Sequence, residues 1–161
     1  MRIIGIDPGS RLTGFGIVDH EGKETNFVAA GVIKLPLDDG FLPRLGDIFF
    51  ALTEVLIKYK PEKAAIEAVF MHKNAGAALK LGQARGAAVA TLMSQRLTVA
   101  EYSAREIKQA VVGYGAAKKE QVQHMVRILL KLNQNPSPDA ADALAVALCH
   151  AHTKHLVPPK K

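Results

Sequence analysis

Arg2-Ile3-Ile4-Gly5-Ile6-Asp7-Pro8-Gly9-Ser10 is the stretch around which the chain is organised, because an apolar run ends there in one carboxylate and a turn. The nearly continuous isoleucines are typical of a strand that is buried on both faces near the middle of a sheet. Pro8 and Gly9 then end that strand. A carboxylate at such a strand end is costly to desolvate unless it is paired, hydrogen-bonded or bound to a metal. Taken alone, Asp7 fits an ordinary turn aspartate better, since Asp-Pro-Gly is common turn chemistry.

The size and composition of the chain predict a single globular domain. It has 161 residues, of which 48% are hydrophobic and 22% charged, enough for one substantial core. We expect this domain to span residues 1–152 and to be followed by a mobile basic tail at 153–161. Cys149 is the only cysteine, which excludes an intramolecular disulfide and a cysteine-based zinc site. Because no secretion leader or membrane span is evident, we expect a cytoplasmic protein without a membrane partner.

The positive charge of the chain is concentrated in its second half. Residues 1–70 hold 8 Lys and Arg against 10 Asp and Glu, a net charge of −2. Residues 71–161 hold 13 against 5, a net charge of +8, and the two sum to the formal +6. This asymmetry predicts a basic face for a polyanion, although a solvated helix surface would explain much of it equally well.

The hydrophobic patterns predict an α/β fold built on a five-stranded mixed sheet. Three strands joined by short links predict an antiparallel meander, after which strands and helices alternate and place helices on both faces of the sheet. The predicted strands cover 2–7, 13–19, 26–35, 63–70 and 97–101. The predicted helices cover 42–59, 75–95, 103–112, 118–132 and 138–152.

Four acids recur in similar settings and have no basic partner adjacent in the sequence. Asp7 ends the first strand, Glu67 interrupts the fourth, and Asp139 and Asp142 open the last helix. Residues three apart on a helix share one face, so Asp139 and Asp142 can point to one spot. The helix around them is apolar nearly all round, which predicts burial. Asp139 is also explained by the helix dipole, whereas a buried Asp142 needs a partner.

Convergence of these four carboxylates would require cations between them, and hard divalent ions such as Mg²⁺ take oxygen ligands. A carboxylate cluster on a basic protein is the arrangement used for two-metal hydrolysis of phosphodiesters. The basic surface would then bind the phosphate backbone. Spacing alone leaves open whether the acids meet in space.

Five stretches follow one another along the chain: 6–16 (IDPGSRLTGFG), 66–70 (IEAVF), 78–86 (ALKLGQARG), 108–113 (KQAVVG) and 139–145 (DAADALA). Together they carry a specific resemblance to bacterial Holliday-junction resolvases of the RuvC type over residues 2–152.

The resemblance implies a ribonuclease-H-like fold and a Mg²⁺-dependent endonuclease of DNA recombination and repair. It implies that Asp7, Glu67, Asp139 and Asp142 are catalytic and bind metal, with two ions per site and Mn²⁺ as a substitute. It further implies a homodimer that nicks two opposing strands of a four-way DNA junction symmetrically and prefers a short thymine-containing sequence. The implied partners are the RuvA and RuvB branch-migration proteins, in the bacterial cytoplasm.

Basic and aromatic candidates for DNA binding also come from the resemblance. Lys108 and Lys119 match family lysines near the active site, and Lys119 is the stronger candidate for a catalytic charge stabiliser. Phe70 matches an aromatic that stacks on bases at the crossover, an interaction open to any base. Lys73 and Asn74, in the same loop, are candidates for backbone contacts. Without the resemblance, the lysines would be ordinary surface residues and Phe70 an ordinary core residue.

Four further positions need separate comment. Ala68 stands where the familiar motif has glutamine, which removes a hydrogen-bonding side chain but no metal ligand and affects expected sequence preference or rate. Lys118 stands where a relative has an acid, so no role is assigned to it. His124 and His150 are interpreted as structural or supporting residues, with His150 a candidate near the acids.

Three other functions compete with junction resolution. Another ribonuclease-H-like nuclease, acting on RNA or a different branched substrate, would have the same fold and acids. A sugar-kinase or actin-like phosphate-binding module also opens with a strand, an aspartate and a glycine turn, but it needs two such domains, for which 161 residues are too few. A junction-binding protein without activity is disfavoured by the presence of all four acids.

Overall fold

The computed structural model of the protein describes residues 1–36, 40–69 and 74–153. The candidates Phe70 and Lys73, and all but the first residue of the predicted tail, therefore lie outside the described residues. Within those ranges, none of the helices combines the length and the apolar character that a membrane span requires.

The ten predicted elements are all present and in the predicted order. The strands are β1 (Arg2–Asp7), β2 (Leu12–Glu21), β3 (Glu24–Lys34), β4 (Lys63–Glu67) and β5 (Val99–Tyr102). The helices are α1 (Phe41–Tyr59), α2 (Ala75–Ser94), α3 (Ala104–Val112), α4 (Lys119–Leu129) and α5 (Pro138–His152).

Several strand ends differ from the prediction: β2 is longer than 13–19 at both ends, β3 covers 24–34 rather than 26–35, and β5 ends at Tyr102 rather than at residue 101. Two further differences have a visible cause. β4 ends at Glu67 rather than at residue 70, because the register partner of Glu67 is Tyr102, the last residue of β5. β5 begins at Val99 rather than at Leu97, because the Leu97 amide still donates to the Leu92 carbonyl at the end of α2 (3.3 Å).

The predicted end of α4 was also wrong. The helix stops at Leu129 instead of residue 132 because Lys131 has a left-handed backbone with a φ of 53°. The Leu132 amide then donates back to the Arg127 carbonyl (2.9 Å), which closes the helix end.

The strand order is β3-β2-β1-β4-β5, which places β1 at the centre of the sheet. β1 to β3 form the predicted antiparallel meander, whereas β4 and β5 run parallel to β1. Parallel strands end at the same edge of a sheet, and Ile6 pairs with Ile66. Asp7 and Glu67, the next residues, are therefore neighbours at that edge.

Helices cover both faces of the sheet, as predicted. Alternate residues of β1 point to opposite faces: Ile3 joins a core formed with α3, α4 and α5, while Ile4 and Ile6 join a core formed with α1 and α2. The α5 residues from Ala140 to Ala151 are buried with the exception of Asp142.

Glycines in β1 and β2 allow α5 to lie directly on the sheet backbone. A Cβ atom on Gly5 would overlap the Ala143 carbonyl oxygen, and one on Gly14 would overlap the carbonyl oxygen of Asp139. Gly14 is also the register partner of Asp7. This close approach brings the first turn of α5 to the strand end that carries Asp7.

Candidate active site

Four acids from three elements meet at the edge of the sheet where β1 and β4 end. The pKa of Asp7 is raised to about 7, and removal of its carboxylate from water is the largest cause. Repulsion from nearby carboxylates is the second cause, and these belong to Asp142, Glu67 and Asp139. The structure therefore places the predicted acids within electrostatic range of one another.

Glu67 lies in the same environment but closer to basic side chains. Burial and then the charge of Asp142 raise the pKa of Glu67, while Lys108 and Lys119 oppose that change. Two acids and two lysines line one cavity of about 230 Å³: Glu67, Asp142, Lys108 and Lys119. Its remaining lining is apolar and comes from α3, α4 and α5: Ala104, Ile107, Val122 and Ala145. The predicted lysines and two of the predicted acids thus share one site.

Lys119 forms a direct ion pair with Asp142, with 2.7 Å between Nζ and Oδ2. This contact is the main reason that the pKa of Lys119 is raised. The ammonium group lies on the first residue of α4, which points it across the cavity at α5. The neighbouring Lys118 is exposed, and its backbone amide donates to the Gln121 side chain (2.8 Å).

The donor set of this site suits a hard divalent cation. Its ligand atoms are carboxylate oxygens, and repulsion from Asp142, Glu67 and Asp139 adds to burial in raising the pKa of Asp7. Among the described residues, however, no three acidic, histidine or cysteine side chains are already arranged to hold one ion together. Asp142 is directed at Lys119 instead, so ion binding requires local side-chain rearrangement.

Arg85 of α2 supports this edge of the sheet, and the sequence did not predict this. Its Nε donates to the backbone carbonyl of Glu67 (3.2 Å), and its Nη2 contacts the Glu101 carboxylate of β5. One guanidinium therefore fixes the end of β4 that carries an acid. Arg85 belongs to the stretch 78–86, but a bond to a backbone carbonyl in another element leaves no signal in sequence spacing.

The remaining candidates have supporting or peripheral positions. His150 is buried on α5, and its Nδ1 lies 2.8 Å from the hydroxyl of Tyr102, which ties the end of β5 to α5. His150 follows Asp142 by eight residues, about 12 Å along the helix, so it lies beyond the acids. His124 is exposed on α4. The Asn74 side chain accepts a hydrogen bond from the Ala77 amide (3.1 Å) and caps α2.

A family model described as crossover junction endodeoxyribonuclease RuvC matches residues 3–150 of the chain. The chain belongs to the RuvC family. A RuvC from Pseudoalteromonas atlantica is 56% identical over 151 residues, covering 94% of this chain and 87% of the relative. The predicted family and reaction are confirmed: members are metal-dependent endonucleases that resolve four-way DNA junctions.

Solved RuvC structures confirm the ribonuclease-H-like fold. Thermus thermophilus RuvC has a TM-score of 0.85 at 37% identity, with 94% of each chain covered. T. thermophilus RuvC in complex with a Holliday junction substrate has a TM-score of 0.89 at 36% identity, covering 94% of this chain and 93% of that one. The RuvC fold thus extends over nearly all of this chain.

Proposed function

We propose that this RuvC-family chain resolves Holliday junctions as a homodimer, through Mg²⁺-dependent hydrolysis at the edge formed by Asp7, Glu67, Asp139 and Asp142. The observation that supports this most directly is the convergence of these carboxylates from β1, β4 and α5 beside a lysine-lined cavity. We take the domain as residues 1–152 and its location as the bacterial cytoplasm.

The four acids would hold two Mg²⁺ ions, with Mn²⁺ as a substitute, because the site offers only oxygen ligands and an excess of negative charge. When bound, such ions activate water and stabilise the leaving oxygen of an in-line displacement. Asp7 and Glu67 are fixed by the ends of paired strands, and Asp139 and Asp142 by the packed start of α5. The chain thereby keeps its ligands in place with little backbone motion.

Lys119 and Lys108 would bind the phosphate at the cavity. We assign Lys119 to stabilising negative charge on the reacting phosphate, which requires its ammonium to leave Asp142 when a cation arrives there. Lys108 would contact the same or a neighbouring phosphate. Lys73 would add a backbone contact, and Phe70 would stack on bases at the crossover.

The substrate symmetry supports the homodimer. A four-way junction presents two equivalent scissile phosphates related by a twofold axis, and a twofold dimer presents two equivalent sites. α2 offers an apolar exposed face for that contact, with small residues between two larger ones: Leu79, Gly82, Gly86, Ala90 and Met93. RuvA and RuvB are the proposed partners that supply the junction.

The test is cleavage of a labelled four-way junction by the purified protein with Mg²⁺. We expect symmetric nicks in two opposing strands, none without Mg²⁺ and none from Asp7→Asn. Linear duplex and an RNA–DNA hybrid serve as competing substrates. Preferential cutting of the hybrid would indicate a different ribonuclease-H-like nuclease, and tight junction binding without nicks at any sequence would indicate a binding protein only.

A further inference from the structure

A second basic groove lies next to the acidic edge, on the side of the sheet that α1 and α2 cover. It has a volume of about 590 Å³ and contains three cationic side chains, none of which was assigned a role. The groove residues are Ser10, Arg11, Arg44, Asn74, Gly76, Ala77 and Lys80. None of these described lining residues is acidic. We call this surface the Arg11 groove.

The turn that carries Arg11 is held rigidly from several directions. The Arg11 carbonyl accepts a hydrogen bond from the Leu35 amide (3.0 Å). Thr13 donates its hydroxyl hydrogen to the Gly9 carbonyl (3.2 Å) within the same turn. The Arg44 guanidinium reaches the Ser10 carbonyl from α1 (3.5 Å). The exposed Arg11 side chain therefore projects from a fixed base, so that binding an anion orders only its own torsions.

The Phe41 ring lies near both of the other two cations. The Arg44 guanidinium and the Lys80 ammonium each lie 5.9 Å from the centre of the Phe41 ring. Arg44 also donates to the Pro36 carbonyl (2.7 Å), which fixes the wall of the groove. Lys80 is exposed one and a half turns into α2. Positive charges from three elements thus face one polar groove, which is the chemistry that binds phosphate.

The groove and the Lys108–Lys119 cavity lie on opposite sides of the acids. Lys108 and Lys119 belong to α3 and α4, which cover one face of the sheet, whereas Arg44 and Lys80 belong to α1 and α2 on the other. Arg11 is four residues from Asp7, so their Cα atoms are at most about 14 Å apart. At about 3.4 Å of helix axis per nucleotide of one strand, this span corresponds to roughly four nucleotides.

We propose that the Arg11 groove binds the sugar-phosphate backbone of a junction arm within about four nucleotides of the cut, with Arg11 and Lys80 contacting phosphates. The inference rests on the proposed function, because the scissile phosphate is placed at the four acids. A strand that crosses the edge of the sheet then meets Lys108 and Lys119 before the acids and the Arg11 groove after them. Such contacts carry no sequence information and fix the position of the duplex on the protein.

The test uses the salt dependence of DNA binding in an Asp7→Asn background, which removes cleavage. Dissociation constants for a four-way junction and for linear duplex are measured over a series of KCl concentrations. The logarithm of the association constant falls linearly with log salt, and each lost phosphate contact makes this slope shallower by about 0.9. We expect Arg11→Gln and Lys80→Gln each to reduce the steepness of the slope by about one, and the double variant by about two.

Charge-keeping and remote variants control for folding and for total charge. Arg11→Lys and Lys80→Arg should retain the slope, and so should Lys23→Gln, because Lys23 lies in the β2–β3 turn at the opposite end of the sheet. If the variant that combines Arg11→Gln with Lys80→Gln had the same slope as Lys23→Gln, the proposal that the Arg11 groove binds phosphates would be wrong. Failure of the proposed function would appear in a different readout, as equal affinity for the four-way junction and the linear duplex. The salt dependence of binding would still show whether the Arg11 groove contacts phosphates.

Discussion

Asp7 has the least favourable electrostatic environment among the acids whose shifts are resolved. Its pKa is about 7 rather than the ordinary 3.8, because its carboxylate is partly withdrawn from water and lies near three other carboxylates. Between these two values the folded state binds more protons than the unfolded state, so this group lowers stability as the pH rises from about 4 to 7. Above pH 7 the cost is fully present, at most about 4 kcal/mol, since each tenfold change in proton affinity corresponds to about 1.4 kcal/mol.

Asp7→Asn should therefore abolish cleavage and stabilise the metal-free protein. We expect a gain of roughly 1–3 kcal/mol in the free energy of unfolding at pH 8, and almost none at pH 4, because the native carboxyl is neutral there. Urea unfolding in EDTA at both pH values measures this. Equal stability of the two proteins at pH 8 would show that the carboxylates do not repel one another as the structure indicates.

Lys119 competes with a cation for Asp142, because its Nζ is 2.7 Å from that carboxylate. Lys119→Met should therefore lower the cleavage rate by about 100-fold, as expected for loss of a charge stabiliser, yet tighten Mn²⁺ binding several-fold. Lys118→Met is the matched control, since its exposed side chain makes no ion pair among the described residues. Rates at saturating junction and calorimetric Mn²⁺ titration separate the two effects. Weaker Mn²⁺ binding by Lys119→Met would contradict the competition.

Arg85 positions Glu67 through its bond to the Glu67 backbone carbonyl. Arg85→Lys should raise the Mg²⁺ concentration needed for half-maximal cleavage by about tenfold, because the end of β4 is then held less firmly. Glu101→Gln should change it little, since the bond to Glu67 remains. The Mg²⁺ dependence of cleavage is measured at saturating junction. An unchanged Mg²⁺ requirement together with a lower Tm would leave Arg85 a purely structural residue.

Among the elements, α5 decides the geometry of the site because it lies against glycine backbone. Gly14→Ala would push its new methyl group into the Asp139 carbonyl and shift the start of α5 away from Asp7. We expect a loss of about 1–3 kcal/mol in stability, typical of overpacking, and a larger proportional loss of cleavage. Gly46→Ala on α1 is the control, because its methyl group would only meet Phe50 at 3.9 Å.

Stability is read from urea unfolding and activity from single-turnover cleavage of the junction. If Gly14→Ala lost stability but kept the wild-type cleavage rate, the close contact with α5 would have no part in placing the acids.

The elements also show which features of the fold were predictable from the sequence. Apolar periodicity predicted all ten elements, and an acid at a strand end or in the first turn of an apolar helix was visible as an anomaly that needed a partner. The ends of β4 and α4 were not predictable, since one depends on where β5 stops and the other on a left-handed residue, Lys131. The bond from Arg85 to Glu67 joins elements 18 positions apart along the chain, which no local pattern records.

On the scale of the whole molecule, the acids lie between two basic surfaces on opposite faces of one sheet. The net charge of +8 in residues 71–161 includes Lys108 and Lys119, while Arg11 and Arg44 come from the acidic first half. The bulk charge asymmetry therefore indicated only part of the proposed DNA-binding surface. A DNA strand that is bound by both surfaces would be fixed along its own direction, which would favour cleavage at one position.

Two such sites must act together to resolve a junction, and the exposed face of α2 is the proposed contact between two copies. Gly86→Lys should abolish dimerisation, because a charged side chain would replace the small residue at the centre of that face. Ile128→Lys is the control, since Ile128 is half exposed on α4, on the other side of the sheet. Sedimentation velocity measures the oligomeric state.

A plasmid that extrudes a cruciform measures the consequence for the paired cut. A dimer that nicks both strands within one binding event yields linear DNA, whereas independent monomers yield nicked circles first. We therefore expect Ile128→Lys to give linear product and Gly86→Lys to give nicked circles at a lower rate. If Gly86→Lys sedimented as a monomer and still gave linear product, paired cleavage would not depend on dimerisation. If Gly86→Lys remained a dimer, the contact between the copies would not lie on α2.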